Sequence, residues 1–339
     1  MELHNYQLNN YPWLAKSYQD LVLPFISNRA HHALLLKYII GSGEDKLIHK
    51  LANRLLCLTP NDSEPCLQCH SCQLFLAENH PDNYIIEAEK NKLSIGVDQI
   101  RQISNKIYER AQQGGNKVIR IKNASLMTEA AANALLKTLE EPPKNTYFII
   151  SDIHNGQLLP TIRSRCQFYF LPVPELDISM AWLKSYQNIA HYNDNELASA
   201  LLLNGNAPLA ALTLLEDERW QKRVTFNQNL QTHLAEQDFW ALRESFINQD
   251  DTLMRLHWFC TLLSDALKAT QKSGRFIINR DQVSLVRLIA QLESIKIIQL
   301  YQLWHDVREQ LVTISSLNQE LIISNLLAQS EIIIHSSAN

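Results

Sequence analysis

The chain has 339 residues, of which 46% are hydrophobic and 19% are charged, and its formal net charge is −4. This composition is typical of a globular protein and excludes a largely disordered chain, while the length allows two or three domains with their own cores. The acidic balance excludes a general basic surface for nucleic acid, so any contact with DNA has to be local.

Strand and helix patterns alternate over the first 171 residues. The opening segment lacks the basic start and apolar core of a signal peptide, and a helical stretch ends near Phe25. Short apolar runs predict five strands, at 33–36, 84–86, 118–121, 147–150 and 168–171, and periodic apolar positions predict helices at 45–58, 97–108 and 129–139. Uniformly apolar strands joined by helices indicate a parallel α/β sheet.

A change of pattern follows Pro172 and Pro174, which mark a domain boundary. Short helical stretches in 175–212 are enough for a small helical domain. From residue 213 onward the periodicity predicts helices only, at 253–269, 282–292, 295–311 and 318–327. Core positions are expected for Cys260 and for four tryptophans, Trp220, Trp240, Trp258 and Trp304. The sequence therefore predicts three domains, over 1–171, 172–212 and 213–339.

A glycine turn, with Gly41 and Gly43 at its ends, follows the first strand where a phosphate loop would lie. A working loop needs a lysine for the phosphates and a hydroxyl for the metal ion. Glu44 and Asp45 hold those two positions, and carboxylates there repel a polyphosphate. A turn that only joins strand to helix is therefore favoured over an ATP site.

The strand at 118–121 supports the same interpretation. In an active site of this kind acidic residues follow that strand, hold Mg²⁺ and orient water. Here Lys122 and Asn123 follow it, and a cation cannot ligate Mg²⁺. We therefore expect this chain to bind no ATP.

Four of the six cysteines are concentrated in one segment, at Cys57, Cys66, Cys69 and Cys72. Their spacing lets four thiolates converge on one ion, and four protein ligands leave no position for water, as in structural zinc sites. A redox dithiol needs only one CxxC pair and leaves Cys57 unexplained; four unrelated buried cysteines are the other alternative. The sequence favours structural Zn²⁺. Because no disulfide framework is indicated, we expect the cytoplasm as the compartment.

Two motifs carry a resemblance to a known family. NALLKTLEEPP occupies 133–143 and TIRSRC occupies 161–166. In this order and at this separation they resemble the clamp-loader subunits of bacterial DNA polymerase III, members of the AAA+ superfamily, and the likeness covers essentially the whole chain. The resemblance implies a P-loop AAA+ module of α/β class with an inserted zinc-binding loop, a small helical lid domain and an all-helical C-terminal collar that holds the oligomer.

The resemblance also implies roles for single residues. In clamp loaders the arginine of the Ser-Arg-Cys motif, here Arg165, reaches the ATP of a neighbouring subunit, and Ser164 and Thr161 have a weaker part in shaping that face. The alternative is an ordinary surface arginine beside a carboxylate. Arg101 lies on a helix that faces DNA in this family; a phosphate contact and a merely solvated helix face are equally favoured there.

The degenerate phosphate loop, or Walker A motif, indicates a member of the complex that does not hydrolyse ATP. The family implies a heteropentamer with gamma/tau and delta subunits as partners, and contacts with the sliding clamp (beta) and primed-template DNA through the complex, which serves a DNA-directed DNA polymerase. An active AAA+ replication ATPase is the alternative, disfavoured by Glu44, Asp45, Lys122 and Asn123. A zinc-dependent nucleic-acid-binding module is disfavoured by the net charge. No membrane partner is expected, because no apolar run reaches the roughly 20 residues that span a bilayer.

Overall fold

The computed structural model describes residues 8–90, 92–153, 156, 158–216, 218–236, 238–246, 251–314 and 317–336. The chain divides into two compact units, Met1–Pro174 and Glu175–Asn339. The boundary therefore falls next to the proline pair that the sequence indicated.

The first unit combines strands and helices. Its strands are β1 (Ala33–Tyr38), β2 (Asn83–Ile86), β3 (Lys117–Ile121), β4 (Thr146–Ile153) and β5 (Gln167–Phe170). Its helices are α1 (Leu14–Ile26), α2 (Glu44–Leu56), α3 (His70–Leu76), α4 (Val97–Ile107), α5 (Glu129–Glu140) and α6 (Pro160–Arg163). All five predicted strands and the predicted helices are present, with small shifts at their ends. The short helices α3 and α6 were not predicted, because each lacks a full apolar period.

The five strands form one parallel sheet in the order β2-β3-β4-β1-β5. Leu35 in β1 lies between Ile150 of β4 and Phe168 of β5, which places β1 inside the sheet and β5 at its edge. The predicted α/β class is confirmed. In a parallel sheet, the loops that follow adjacent strands all lie at the carboxyl end of the sheet. The glycine turn after β1 and the residues after β3 and β4 therefore lie close together.

One apolar cluster fills the space between the sheet and helices α4 and α5. Buried side chains of β1, β3 and β4 pack with α4 and α5, and this cluster includes Leu35, Ile121, Leu135, Leu139 and Ile150. Helix α5 begins after Thr128, whose side chain caps it by accepting a hydrogen bond from the backbone N–H of Ala131 at 3.2 Å. The packing fixes the end of α5, at Glu140, beside the second motif.

The second unit is helical throughout its described residues. Its helices are α7 (Leu176–Leu183), α8 (Asp194–Leu203), α9 (Pro208–Glu216), α10 (Arg219–Glu236), α11 (Thr252–Thr270), α12 (Val283–Ile289), α13 (Ser294–Thr313) and α14 (Gln319–His335). The boundary expected after residue 212 lies inside α9. Trp220, Trp258 and Trp304 are buried, but Trp240 is 48% exposed, and the prediction of a core position was wrong for it because its ring lies over the Arg243 guanidinium at the surface.

A buried polar network joins several of these helices. Arg223 of α10 pairs with Asp281 at 2.6 Å and donates to Asn279 Oδ1 at 2.8 Å; Asn279 is buried, and the Asp281 side chain is 5% exposed. The backbone N–H of Asp281 donates to Ser199 Oγ of α8 at 3.1 Å. Helices from both predicted helical domains are thus bonded within one unit, and a separate lid and collar stay a proposal.

Among the described residues, no single helix is both long and apolar enough to cross a bilayer. Helices α8 and α9 reach that length and apolar character only when taken together, and they are bent by 119°.

Candidate functional site

The four clustered cysteines converge in space. Cys57 follows α2, Cys66 lies in the loop, Cys69 caps α3 and Cys72 is within it. All four Sγ atoms lie within 4.8 Å of one another, with Cys57 and Cys69 at 3.9 Å and Cys66 and Cys72 at 4.0 Å. Sulfurs bonded tetrahedrally to one ion at roughly 2.3 Å stand about 3.8 Å apart. The donor set therefore fits a tetrahedral metal ion with little rearrangement.

Hydrogen bonds favour the thiolate form of Cys66, whereas burial raises the pKa of the Cys57 and Cys72 thiols. The backbone N–H of Cys66 donates to Cys57 Sγ at 3.3 Å, and that of Cys69 donates to Cys66 Sγ at 3.3 Å. The Thr59 hydroxyl also donates to Cys66 Sγ, at 3.3 Å, and with the backbone bonds it lowers the pKa of Cys66 to about 5. A metal-binding loop needs deprotonated sulfur, so this arrangement suits the chemistry of a metal ligand.

The glycine turn joins β1 to α2 through two glycines with positive φ. Gly41 and Gly43 have φ of 82° and 97°, in the left-handed region. A Cβ on Gly43 would also stand 2.8 Å from Leu14 Cδ1, so both conformation and space require glycine there. The loop leads into α2, whose first residue is Glu44. The structure therefore retains the turn although the lysine and hydroxyl are missing.

The Glu44 carboxylate folds back into this turn. Its Oε2 accepts from the backbone N–H of Gly43 at 3.1 Å and from Ser42 Oγ at 3.4 Å. In a phosphate loop such N–H groups point at phosphate oxygens. Burial raises the pKa of Glu44 above its usual value. Sequence reasoning indicated repulsion by this carboxylate; the structure adds that the carboxylate fills the turn.

Side chains at the carboxyl end of the sheet form hydrogen bonds and ion pairs with one another. The Tyr38 hydroxyl donates to Asn123 Oδ1 at 2.7 Å, and Lys122 pairs with Glu87 at 2.9 Å. Lys37 pairs with the buried carboxylate of Asp152. Sequence reasoning missed this last pair; the available signal was a lysine within the apolar strand β1. The carboxylates of Glu87 and Asp152 are thus each paired with a lysine, and the two residues that directly follow β3 are Lys122 and Asn123.

The two sequence motifs meet at Arg165. Its Nε donates to Glu140 Oε1 at 2.8 Å, and Nη2 lies 2.5 Å from the same oxygen. Its Nη1 donates to the Thr161 backbone oxygen at 2.9 Å and to Ser164 Oγ at 3.3 Å. The structure therefore brings the three predicted residues together, with Thr161 acting through its backbone. Glu140 was not singled out, although it lies within the 133–143 motif.

Two other arginines occupy different surroundings. Arg101 is 69% exposed on α4, and its Nη1 stands 3.7 Å from Asp98 Oδ1. Arg163 lies two positions before Arg165, with its guanidinium 5.3 Å from the centre of the Phe168 ring. The structure places Arg101 on an open helix face.

Comparisons with known proteins cover both units. Residues 14–175 match the family described as DNA polymerase III, delta subunit, and residues 217–331 match its C-terminal family, described as DNA polymerase III, delta subunit, C terminal. The chain is 42% identical to the DNA polymerase III subunit delta' of Yersinia pestis over 327 residues, covering 96% of each chain. It is 39% identical to that of Escherichia coli K12 over 323 residues, covering 95% of each.

Among solved structures, a DNA polymerase III gamma subunit-related protein of Thermotoga maritima is similar. The TM-score is 0.48 and the identity 19%, with 93% of this chain and 98% of that chain covered.

Proposed function

We propose, from the premise that the chain belongs to the DNA polymerase III subunit delta' family, that it is the clamp-loader subunit that does not hydrolyse ATP. In this role it is a rigid stator in a cytoplasmic heteropentamer with gamma/tau and delta. It supplies Arg165 to a neighbouring gamma/tau ATP site and helps to load the sliding clamp on primed DNA. The main observation in favour of this proposal has two parts. The Glu44 carboxylate occupies the glycine turn, and the two sequence motifs still meet at Arg165.

The filled turn supports the absence of ATP from this subunit. Triphosphate oxygens would have to displace the Glu44 carboxylate from the N–H of Gly43 and then lie against Asp45 without a lysine to balance their charge. Mg²⁺ would meet Lys122 and Asn123 at the end of β3. An active ATPase is the alternative function, and these four residues oppose it.

Restoring the loop alone should leave the isolated chain without ATPase activity. Glu44→Lys with Asp45→Thr empties the turn and replaces the missing lysine and hydroxyl, but it adds no acidic ligand after β3, so hydrolysis should stay at background. Calorimetry with Mg-ATP and a steady-state phosphate assay would measure binding and turnover, with Glu44→Gln/Asp45→Asn as the matched variant that removes only the charge. Turnover by the Lys/Thr variant would show that residues after β3 can hold Mg²⁺.

We propose Zn²⁺ as the ion of the cysteine cluster. Four thiolates in tetrahedral array select soft or borderline ions, and a set closed by four protein ligands is typical of structural zinc. Bound zinc would supply no reaction; it would cross-link the end of α2 to α3. Arg101 remains a candidate contact for one DNA phosphate, since its guanidinium is exposed.

The second unit is proposed to hold the complex together. Helices α13 and α14 expose several large apolar side chains, among them Ile295, Ile298, Val312, Leu321 and Ile332. Obligate oligomer interfaces are large and apolar. Exposed apolar residues on these helices therefore suit a permanent contact with other subunits.

A chain ending at Pro174 should fail to assemble with gamma/tau and delta, because it lacks these apolar helices while keeping the whole first unit. Size-exclusion chromatography with mass measurement, without nucleotide, should show co-elution of the full chain and separate elution of the shortened one. Circular dichroism and metal content would check that the first unit is folded. Stable assembly of the shortened chain would mean that the faces of the first unit suffice.

A further inference from the structure

The guanidinium of Arg165 is already engaged by its own chain. Glu140 accepts from Nε at 2.8 Å and lies 2.5 Å from Nη2, so the carboxylate holds one edge of the guanidinium. The Thr161 backbone oxygen and the Ser164 hydroxyl hold Nη1. A phosphate that is to be bound by two parallel N–H groups would have to take at least one of them from Glu140, Thr161 or Ser164.

The position of Glu140 explains why it attracts this cation. Glu140 is the last residue of α5, where the carbonyl end of a helix carries partial negative charge. A guanidinium there balances both the carboxylate and the helix end. The 133–143 motif therefore provides the anion, and the 161–166 motif provides the cation.

The contact is well formed but exposed. The side chains of Arg165 and Glu140 are 34% and 50% exposed, and water and salt weaken ion pairs in such surroundings. The phosphate oxygens of a nucleotide match the same planar donor fork as a carboxylate does. The pair can therefore define where the guanidinium rests without preventing its transfer.

We propose that Glu140 is a positioning residue. In the free chain its carboxylate binds the Arg165 guanidinium, a contact called here the storage contact. In the complex it releases the guanidinium to the γ-phosphate of the neighbour's ATP. This inference rests on the proposed trans role of Arg165. The carboxylate and the phosphate compete for the same N–H donors, so loss of the carboxylate makes the arginine easier to transfer. Ser164 and the Thr161 carbonyl keep the guanidinium close to its loop during the exchange.

The storage contact is tested first in the isolated full chain. Glu140→Gln should raise the rate at which phenylglyoxal modifies Arg165 by roughly two- to five-fold, the range expected for loss of an exposed ion pair, and high salt should reduce the difference. Peptide mass mapping measures the rate at each arginine, with Arg101 as internal reference and Glu141→Gln as the matched control. An unchanged rate at Arg165 in a folded Glu140→Gln chain would overturn the proposal.

A double-mutant cycle tests the exchange in the assembled complex. Glu140→Gln should raise clamp- and DNA-stimulated kcat/KM of the neighbouring site by roughly two- to five-fold, and it should have no effect when Arg165→Ala is also present. A decrease with Glu140→Gln, or the same change in both backgrounds, would refute storage. If Arg165→Ala itself left turnover unchanged, the trans role would fail, while the modification experiment would still decide whether Glu140 holds the arginine.

Discussion

Removal of the metal should cause the largest loss of stability, because a single ion bound by the four converging cysteines would join the end of α2 to α3. Each chain should carry one Zn²⁺, and Cys72→Ser should lose it, since Cys72 is fully buried and its Sγ lies 4.0 Å from that of Cys66. Structural zinc contributes on the order of 10 kcal/mol in small zinc-dependent peptides. Part of that contribution should remain here, because α2 and α3 also pack on the first unit.

Elemental analysis gives the stoichiometry, and thermal unfolding with and without a chelator gives the loss of stability. Cys260→Ala is the matched control: Cys260 is buried in α11, far along the chain from the cluster, so its loss should leave the zinc content at one. Absence of stoichiometric zinc from the native chain, or full zinc retention by Cys72→Ser, would contradict the assignment of the cluster.

Arg165→Ala should leave the fold and the assembly intact and lower the ATPase rate of the complex. The side chain is partly exposed and its ion pair with Glu140 is solvent-accessible, so the change in unfolding free energy should stay within about 0.5 kcal/mol. At the neighbour's site an arginine against the γ-phosphate is worth roughly 10³–10⁵ in rate in related transfer reactions. In the proposed heteropentamer the other ATP sites would not depend on Arg165, so the decrease for the whole complex should be partial.

Steady-state ATPase and clamp loading, compared at saturating ATP, measure this effect. Arg163→Ala is the positional control, since Arg163 lies on the same short segment but contacts the Phe168 ring. If Arg163→Ala were defective and Arg165→Ala were not, the finger would be the wrong residue. Equal rates in both variants and the parent would exclude a trans role for this face.

Much of the first unit could be predicted because its signals are local. Uniform apolar runs such as the one at β4 are required in a parallel strand covered on both faces, and the Thr128 cap and Pro142 define the ends of α5 through backbone chemistry alone. The helices of the second unit were predicted for the same reason. The boundary expected at 212 lies inside α9. The division of a helical region depends on which helices pack together, and local sequence patterns do not contain that information.

The sequence by itself determined which four cysteines come together and which residues follow the glycine turn. Cys57, Cys66, Cys69 and Cys72 lie so near in the chain that a single loop brings them together, and Glu44 can only start α2 after the glycine turn. Both features follow from residue identity at short range, so no knowledge of the packing was needed to find them.

Only the tertiary structure decided what Glu44 and Arg165 contact. The Glu44 carboxylate could have faced solvent, and its return to the N–H of Gly43 depends on the packing around a half-buried side chain. Arg165 and Glu140 are 25 positions apart and meet because α5 and the loop after β4 end at the same place on the sheet. Side-chain partners at that separation depend on how whole elements pack, because the energy of each contact is small and many exposed partners are available to a long charged side chain.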